Sequence, residues 1–279
     1  MPSRMAGPRG VKAAWSGQLL ENGPALWRDA WPEPAVDGHK YCRGACLVWS
    51  GPEFATGAAR LAARAALRVG AGIVTLMGEA AALRIHAAHL SAIMLAEAGG
   101  LAAALAEPRL SACVIGPGAG RGEATRAAAL AMLGSGRPVV LDADALTSLT
   151  PGLPLPGSAV LTPHVGEFEA LFPDAPDAPA AARVAGQVVV LKGQRTVIAA
   201  PDGRAAINGN APHWLATAGA GDVLAGMIGG LLAQGMPCFE AACAGVWLHG
   251  AAGVAAGPHL TAEDLEPALR QVLVSRVGF

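Results

Sequence analysis

Apolar residues in this chain come in short runs that stop at glycine, proline or an acid. Longer alanine- and leucine-rich stretches with helical spacing lie between them. Cys46-Leu47-Val48-Trp49 stops at Ser50-Gly51, and Ile73-Val74-Thr75-Leu76 follows a helical stretch over 57–69. Cys113-Val114-Ile115 runs into Gly116-Pro117-Gly118-Ala119-Gly120, with a helix predicted over 124–133. Val139-Val140-Leu141 ends at Asp142-Ala143-Asp144, Ala159-Val160-Leu161 at Thr162-Pro163-His164, and Val188-Val189-Val190-Leu191 at Lys192-Gly193. Near-continuous apolar strands alternating with helices predict a parallel sheet covered on both faces. A hairpin is predicted next, over 196–200 and 204–207 around Pro201-Asp202-Gly203, and three helices close the chain at about 222–234, 239–256 and 262–275. Residues 1–38 break the pattern: Trp15, Trp27 and Trp31 follow no period, and Pro8, Pro24, Pro32 and Pro34 interrupt them. They read as a tail or linker with one short helix near residues 25–28, ahead of a single domain over 39–279.

Composition narrows the class. Of 279 residues, 53% are hydrophobic and 15% charged, with a net charge of −1. A thick core follows, and no electrostatic footprint for nucleic acid or an anionic membrane. No window reaches the roughly 18 uninterrupted apolar residues that suggest a membrane span, and no secretory signal pattern is evident, so a cytoplasmic protein is expected. Five cysteines without paired CxxC spacing predict reduced thiols and neither a disulfide framework nor a zinc site. His86 and His89, three apart on a helix, read as surface or core-edge residues.

The polar and glycine residues gather just past the strand ends, on the rim where open α/β sheets bind ligands. The most pointed stretch is Thr217-Ala218-Gly219-Ala220-Gly221-Asp222, which runs directly into an apolar helix. Glycines there permit a tight turn, and a helix N-terminus offers unpaired N–H groups, which together suit phosphate. A carboxylate in that seat, Asp222, is either a helix cap or a general base. Asp142 and Asp144 offer one cap and one carboxylate for the rim or a magnesium-bound water, and need not converge. Thr162 or His164 can cap the following helix with Glu167 in its first turn. That leaves His164 as a candidate ligand contact at neutral pH. Lys192, one of three lysines, sits at a strand end before Gly193 and suits a nucleotide phosphate, with Thr196 adding a hydroxyl.

Taken in order, Asp37-Gly38-His39-Lys40, Thr56-Gly57-Ala58-Ala59, Gly116-Pro117-Gly118, Leu141-Asp142-Ala143-Asp144-Ala145-Leu146, Thr162-Pro163-His164-Val165-Gly166-Glu167-Phe168, Lys192-Gly193-Gln194-Arg195-Thr196 and Gly219-Ala220-Gly221-Asp222 resemble the ADP-dependent NAD(P)H-hydrate dehydratases of the ribokinase-like superfamily. The resemblance covers roughly residues 37–275. It implies a ribokinase-like three-layer α/β sandwich and a metabolite-repair lyase. Such an enzyme uses ADP or ATP, with Mg2+, to remove water from the S-epimer of hydrated NADH or NADPH. It implies contacts from Ala58, Gly118, His164 and Asp222 to the hydrated cofactor. Lys192, Gly193, Gln194, Arg195, Thr196 and Gly221 would hold the nucleotide, and Asp222 would be the base. The family commonly reads GGTGD where this chain has Ala218-Gly219-Ala220-Gly221-Asp222, so Ala220 lacks a hydroxyl at the phosphate, and Val165 stands where proline is usual. The epimerase domain fused in many bacterial members is absent from this sequence. Either a separate epimerase or a longer parent chain is expected. A homo-oligomer is also expected, with the alanine- and glycine-rich last helices as candidate contacts. The competing readings are a ribokinase-like kinase for a hydroxymethylpyrimidine or sugar, and a non-catalytic nucleotide-binding module.

Overall fold

The computed structural model describes residues 17–33, 37–152 and 154–275. The part of the expected tail at residues 1–16, with Trp15, and Pro34 lie outside them.

In chain order the elements are β1 (Leu20–Glu21), β2 (Ala45–Trp49), α1 (Thr56–Val69), β3 (Ile73–Gly78), α2 (Ala80–His89), β4 (Met94–Glu97), α3 (Leu101–Ala106) and β5 (Leu110–Ile115). Then come α4 (Glu123–Gly134), β6 (Val139–Leu141), α5 (Ala143–Ser148), β7 (Ala159–Leu161), α6 (Val165–Leu171), α7 (Ala178–Ala185) and β8 (Val188–Leu191). The hairpin β9 (Thr196–Ala199) and β10 (Ala205–Asn208) precedes α8 (Ala220–Ala233), α9 (Cys238–Ala256) and α10 (Ala262–Ser275). The strands form one sheet in the order β1-β10-β9-β8-β7-β6-β5-β2-β3-β4. Pairing is parallel except for β10 with β9 and β9 with β8.

The apolar strand runs are explained by burial on both sides. Val48, Leu76, Val114, Val140, Val160 and Val190 join one core with α1, α8, α9 and α10. Their strand neighbours Leu47, Met77, Ile115, Val139, Leu161 and Val189 join the other with α4 to α7. With a period of two, a strand that feeds two cores has no polar face to show. The chain runs outward from β2 to β4 and returns beside β2 as β5, so the order reverses between β2 and β5. That reversal opens a crevice at the C-terminal ends of the strands.

The small residues of the last helices are used within the chain. A Cβ on Gly226 would lie 2.0 Å from the Ala62 carbonyl oxygen of α1, and one on Gly245 would lie 2.6 Å from Ile228. The glycine-rich surfaces expected to join copies therefore seat α8 on α1 and α9 on α8. By length and composition α9 could cross a membrane, but 67% of its apolar window is buried in this core.

Two expectations change. In the segment read as tail or linker, Leu20–Glu21 pairs with β10 and Trp27 is 1% exposed. His89 is exposed as expected, but His86 is fully buried, with Nε2 2.8 Å from the Ser50 hydroxyl. Burial, then the neighbouring Arg60, pushes its pKa down to about 4.

Candidate active site

The crevice is lined first by the start of α1 and the loop after β5. Gly118 has φ +60, and a Cβ there would sit 2.6 Å from the Ala55 carbonyl oxygen and 3.1 Å from the Ala58 Cβ. Ala58 and Gly118, separated by 60 positions in the chain, are therefore adjacent and only half-buried. Their small size brings backbone to the surface of the crevice, where a bulky planar ligand can lie against it.

The loop after β6 brings its two carboxylates to the same rim. Asp144 Oδ2 accepts from the Gly120 N–H at 2.9 Å, which ties this loop to the one after β5. Asp142 occupies the position before α5 without capping it. Its Oδ1 instead accepts from Lys192 Nζ at 2.7 Å and from the Thr162 hydroxyl at 2.8 Å. Three consecutive strand ends, β6, β7 and β8, are thus joined through one side chain that is 2% exposed. Asp142 is the residue the sequence reading undervalued. The alternation Asp142-Ala143-Asp144 looks like a capping signature, and nothing local shows that β6 and β8 lie two strands apart with their ends level.

The first turn of α8 completes the rim. Gly219 precedes the helix with φ +85, and a Cβ there would lie 2.8 Å from both Leu61 and Ala262, so the turn requires glycine on both counts. A Cβ on Gly221 would lie 3.5 Å from Lys192 Nζ, which places the ammonium over the helix start. Asp222 does not cap the helix, and its carboxylate accepts no hydrogen bond among the described residues. Burial first, then the Asp142 charge, pushes its pKa up to about 6, against the opposing pull of Lys192. An unpaired, mostly buried carboxylate titrating near neutrality is the profile of a general base. Behind it, His249 of α9 lies against the Ala220 carbonyl, and burial lowers its pKa to about 4, so it is neutral.

Of the two residues that the sequence offered as the cap of α6, His164 takes the role and Thr162 does not. Its Nδ1 accepts from the N–H groups of Gly166 at 3.0 Å and Glu167 at 3.3 Å, and the Glu167 side chain accepts from the His164 N–H. This capping box leaves the ring 61% exposed on the rim, and His164 bridges Lys192 across the strand ends. In the loop after β8, Thr196 is buried with its hydroxyl donating to the Gly193 carbonyl. Gln194 and Arg195 are exposed, Arg195 lying 4.0 Å from Glu21. The fold therefore gathers Lys192, Gly221 and Asp222 at one point, with His164 beside them and Ala58 and Gly118 across the crevice. Leu61, one turn after Ala58, touches the Gly219 turn and links the two groups. A cavity of about 480 Å3 elsewhere, lined by Arg43, Arg64, Arg68 and His89, opens near the N-terminal ends of the strands. There Glu266 already pairs with Arg64 and Arg68.

A family model described as NAD(P)H-hydrate dehydratase matches residues 46–272, most of the chain and all of the rim. The chain belongs to the NAD(P)H-hydrate dehydratase family. It is 35% identical over 245 residues to the ADP-dependent (S)-NAD(P)H-hydrate dehydratase of Xanthomonas campestris pv. campestris, covering 80% of this chain and 84% of that one. Among solved structures, the ADP/ATP-dependent NAD(P)H-hydrate dehydratase of Bacillus subtilis, co-crystallised with ATP/Mg2+, superposes with a TM-score of 0.81. It is 30% identical, covering 92% of this chain and 98% of that one. A ribokinase-like superfamily protein of Enterococcus faecalis, 22% identical, shares the fold with a TM-score of 0.83 over 95% and 99% of the two chains. The family's sandwich is thus the fold that the sequence predicted. The matched region spans less than half the length of several curated relatives, among them bifunctional NAD(P)H-hydrate repair enzymes.

Proposed function

We propose that this chain is an ADP- or ATP-dependent hydro-lyase that dehydrates the S-epimer of hydrated NADH or NADPH and restores the reduced cofactor. One observation carries the reading: Asp222, unpaired and mostly buried, on the first turn of α8 beside the Lys192 ammonium. Hydroxide is a poor leaving group and phosphate a good one. Transfer of the terminal phosphoryl group to the C6 hydroxyl, with AMP or ADP leaving, followed by loss of phosphate from C6 and a proton from C5 to form the ring double bond, therefore converts a difficult elimination into an accessible one. Asp222 takes the hydroxyl proton as the phosphoryl group arrives. The N–H groups of Gly221 and Asp222, which lie between the Ala220 N–H bonded to Thr217 and the Val223 N–H bonded to Gly219, stabilise the transferring charge with Lys192. Ala220 contributes backbone only, so the hydroxyl that relatives place there is replaced by these N–H groups.

In this reading Ala58, Gly118, His164 and Asp222 contact the hydrated cofactor, and Lys192, Gly193, Gln194, Arg195, Thr196 and Gly221 hold the nucleotide. His164 binds through Nε2, since its Nδ1 is engaged in the cap. Among the described residues no group of three or more His, Cys, Asp or Glu side chains is placed to hold a metal ion. The rim therefore suits a magnesium ion carried in by phosphate oxygens and water, supplying charge neutralisation there. The epimer that the enzyme requires would come from an epimerase, in a separate protein or a fused domain.

The test is to incubate the protein with hydrated NADH and either ADP or ATP and follow absorbance at the reduced-nicotinamide band. Recovery is expected, with no turnover when the nucleotide is omitted. Asp222→Asn should retain nucleotide binding while turnover falls by at least about a hundredfold. Absence of recovery with both nucleotides sinks the dehydratase reading. Phosphorylation of a small alcohol in its place would establish the kinase reading.

A further inference from the structure

We infer that Asp142 is a positioning residue: it holds the Lys192 ammonium over the first turn of α8, and so sets the charge that both the nucleotide phosphate and Asp222 meet. The inference rests on the reading of Asp222 as base and Lys192 as nucleotide ligand, and adds a residue to which neither the family resemblance nor the α5 cap gives a task. The geometry is specific. A lysine has three donors and a flexible stem, so its charge sits where a partner fixes it. Here the partner is a single carboxylate oxygen at 2.7 Å, itself oriented by the Thr162 hydroxyl at 2.8 Å, in a side chain 2% exposed. A Cβ on Gly221 would be in ordinary contact with Nζ, 3.5 Å away, so the ammonium stands directly over the helix start.

The charged groups facing Asp222 are few. Asp142 comes from the end of β6, Asp144 from α5 and Lys192 from the end of β8. Helices α1 and α10 present Leu61 and Ala262 to the adjoining turn, and α9 presents the neutral His249. Asp142 and Asp144 disfavour the ionised form of Asp222 and Lys192 favours it. Asp142 thus acts twice. It repels the Asp222 charge directly, and it moderates the ammonium that would otherwise quench the base. A neutral residue at 142 should leave Lys192 unmoderated, so that Asp222 becomes a weaker base while the seat stays attractive to phosphate.

The experiment titrates the Asp222 carboxyl by carbon NMR in the full chain and measures steady-state kinetics with hydrated NADH and ADP. The proteins are the parent, Asp142→Asn, Asp142→Glu and Lys192→Met, with Asp142→Ser replacing Asp142→Asn if the latter does not accumulate folded. For Asp142→Asn we expect the Asp222 midpoint to fall by at least about half a pH unit, the acid limb of kcat/KM to move with it, and kcat to drop about tenfold. The KM for ADP should stay unchanged or decrease. Lys192→Met should move the midpoint upward, and Asp142→Glu should hold it near the parent value. The inference is overturned if the neutral variant leaves the midpoint in place, if Lys192→Met shifts it downward, or if the neutral variant raises the KM for ADP with the acid limb unmoved, the pattern of a merely structural role. The NMR titration needs no turnover. The expected shifts in a parent protein that fails to restore NADH would overturn the function and leave the charge arrangement standing.

Discussion

Asp222 carries a cost that its proposed role explains. Its carboxyl is held at about 6, well above the ordinary carboxylate range, chiefly by burial. Between that range and about pH 6 the folded protein keeps a proton that the unfolded chain has lost. Stability therefore falls as pH rises through the window, and the full penalty stands above it. Asp222→Asn removes the penalty. The variant should be more stable than the parent at pH 7.5 by on the order of 1–3 kcal/mol, the upper end being the whole pKa displacement with no allowance for partial exposure. The gain should disappear below about pH 4. Urea unfolding at the two pH values checks this, and an Asn variant no more stable than the parent at pH 7.5 would contradict it. Paired with the expected loss of turnover, a gain in stability would mark a residue kept for chemistry at the expense of the fold. The candidate base was legible in the sequence only as one of two uses, helix cap or general base, for the acid straight after Gly219-Ala220-Gly221, and the structure shows that Asp222 does not cap the helix. Its tuning was not legible, because Asp142 and Lys192 reach it through three strand ends. The cap after β7 was legible only as a choice between Thr162 and His164, and the positions of Gly166 and Glu167 decide it for His164.

Among the elements, the pairing of α1 with α8 decides whether the two helix starts face one crevice. An exposed mid-helix glycine weakens a helix, so replacing it with alanine ordinarily gains up to about 1 kcal/mol. At Gly226 the sign should reverse, since the added methyl would sit 2.0 Å from the Ala62 carbonyl oxygen and push the helices apart. Gly226→Ala is expected to cost at least about 1–3 kcal/mol, a loss of several degrees in Tm for a domain of this size. Gly134→Ala, at the end of α4 with nothing within 4 Å of the new atom, is the control and should be neutral or stabilising. Equal effects at the two sites would remove the close approach as the reason for glycine in α8. At this scale the sequence was most informative. Strands buried on both faces leave unbroken apolar runs, and glycine, proline or acid marks their ends, so β2, β3, β5, β6, β7, β8 and the hairpin were all visible. The strand β4 was not: its apolar run over 92–96 lies between alanine-rich helical stretches, and at the sheet edge Met94 and Glu97 are exposed, so it lacks the both-face burial that marks the other strands.

Across the whole molecule, the main revision concerns where the cooperative unit begins. The two residues of β1 are too few to leave a pattern, yet they pair with the far edge strand β10, where an unpaired ladder would otherwise face solvent. The Asn22 amide donates to the Asn208 side chain at 3.0 Å and to the Cys243 carbonyl at 2.9 Å, joining this segment to β10 and α9. Trp27 is then buried against Trp31 and Trp247, with ring centroids 5.5 and 5.8 Å away. Scattered tryptophans among prolines resemble a linker in sequence because the partner ring, Trp247, stands 220 positions later. The two views make different predictions for Trp27→Ala. A linker residue would change stability by no more than about 0.5 kcal/mol, whereas a buried tryptophan should cost about 3–5 kcal/mol. We expect the larger loss, read as a lower urea midpoint with an unchanged slope, which would show that the segment unfolds together with the sheet. The segment also reaches the loop after β8, where Glu21 lies 4.0 Å from Arg195, but it does not touch Asp222. The folded fraction of the variant should therefore keep its kcat and show at most a raised KM for nucleotide. A lowered kcat with a parent-like unfolding midpoint would place Trp27 in the catalytic apparatus and refute its assignment to the fold.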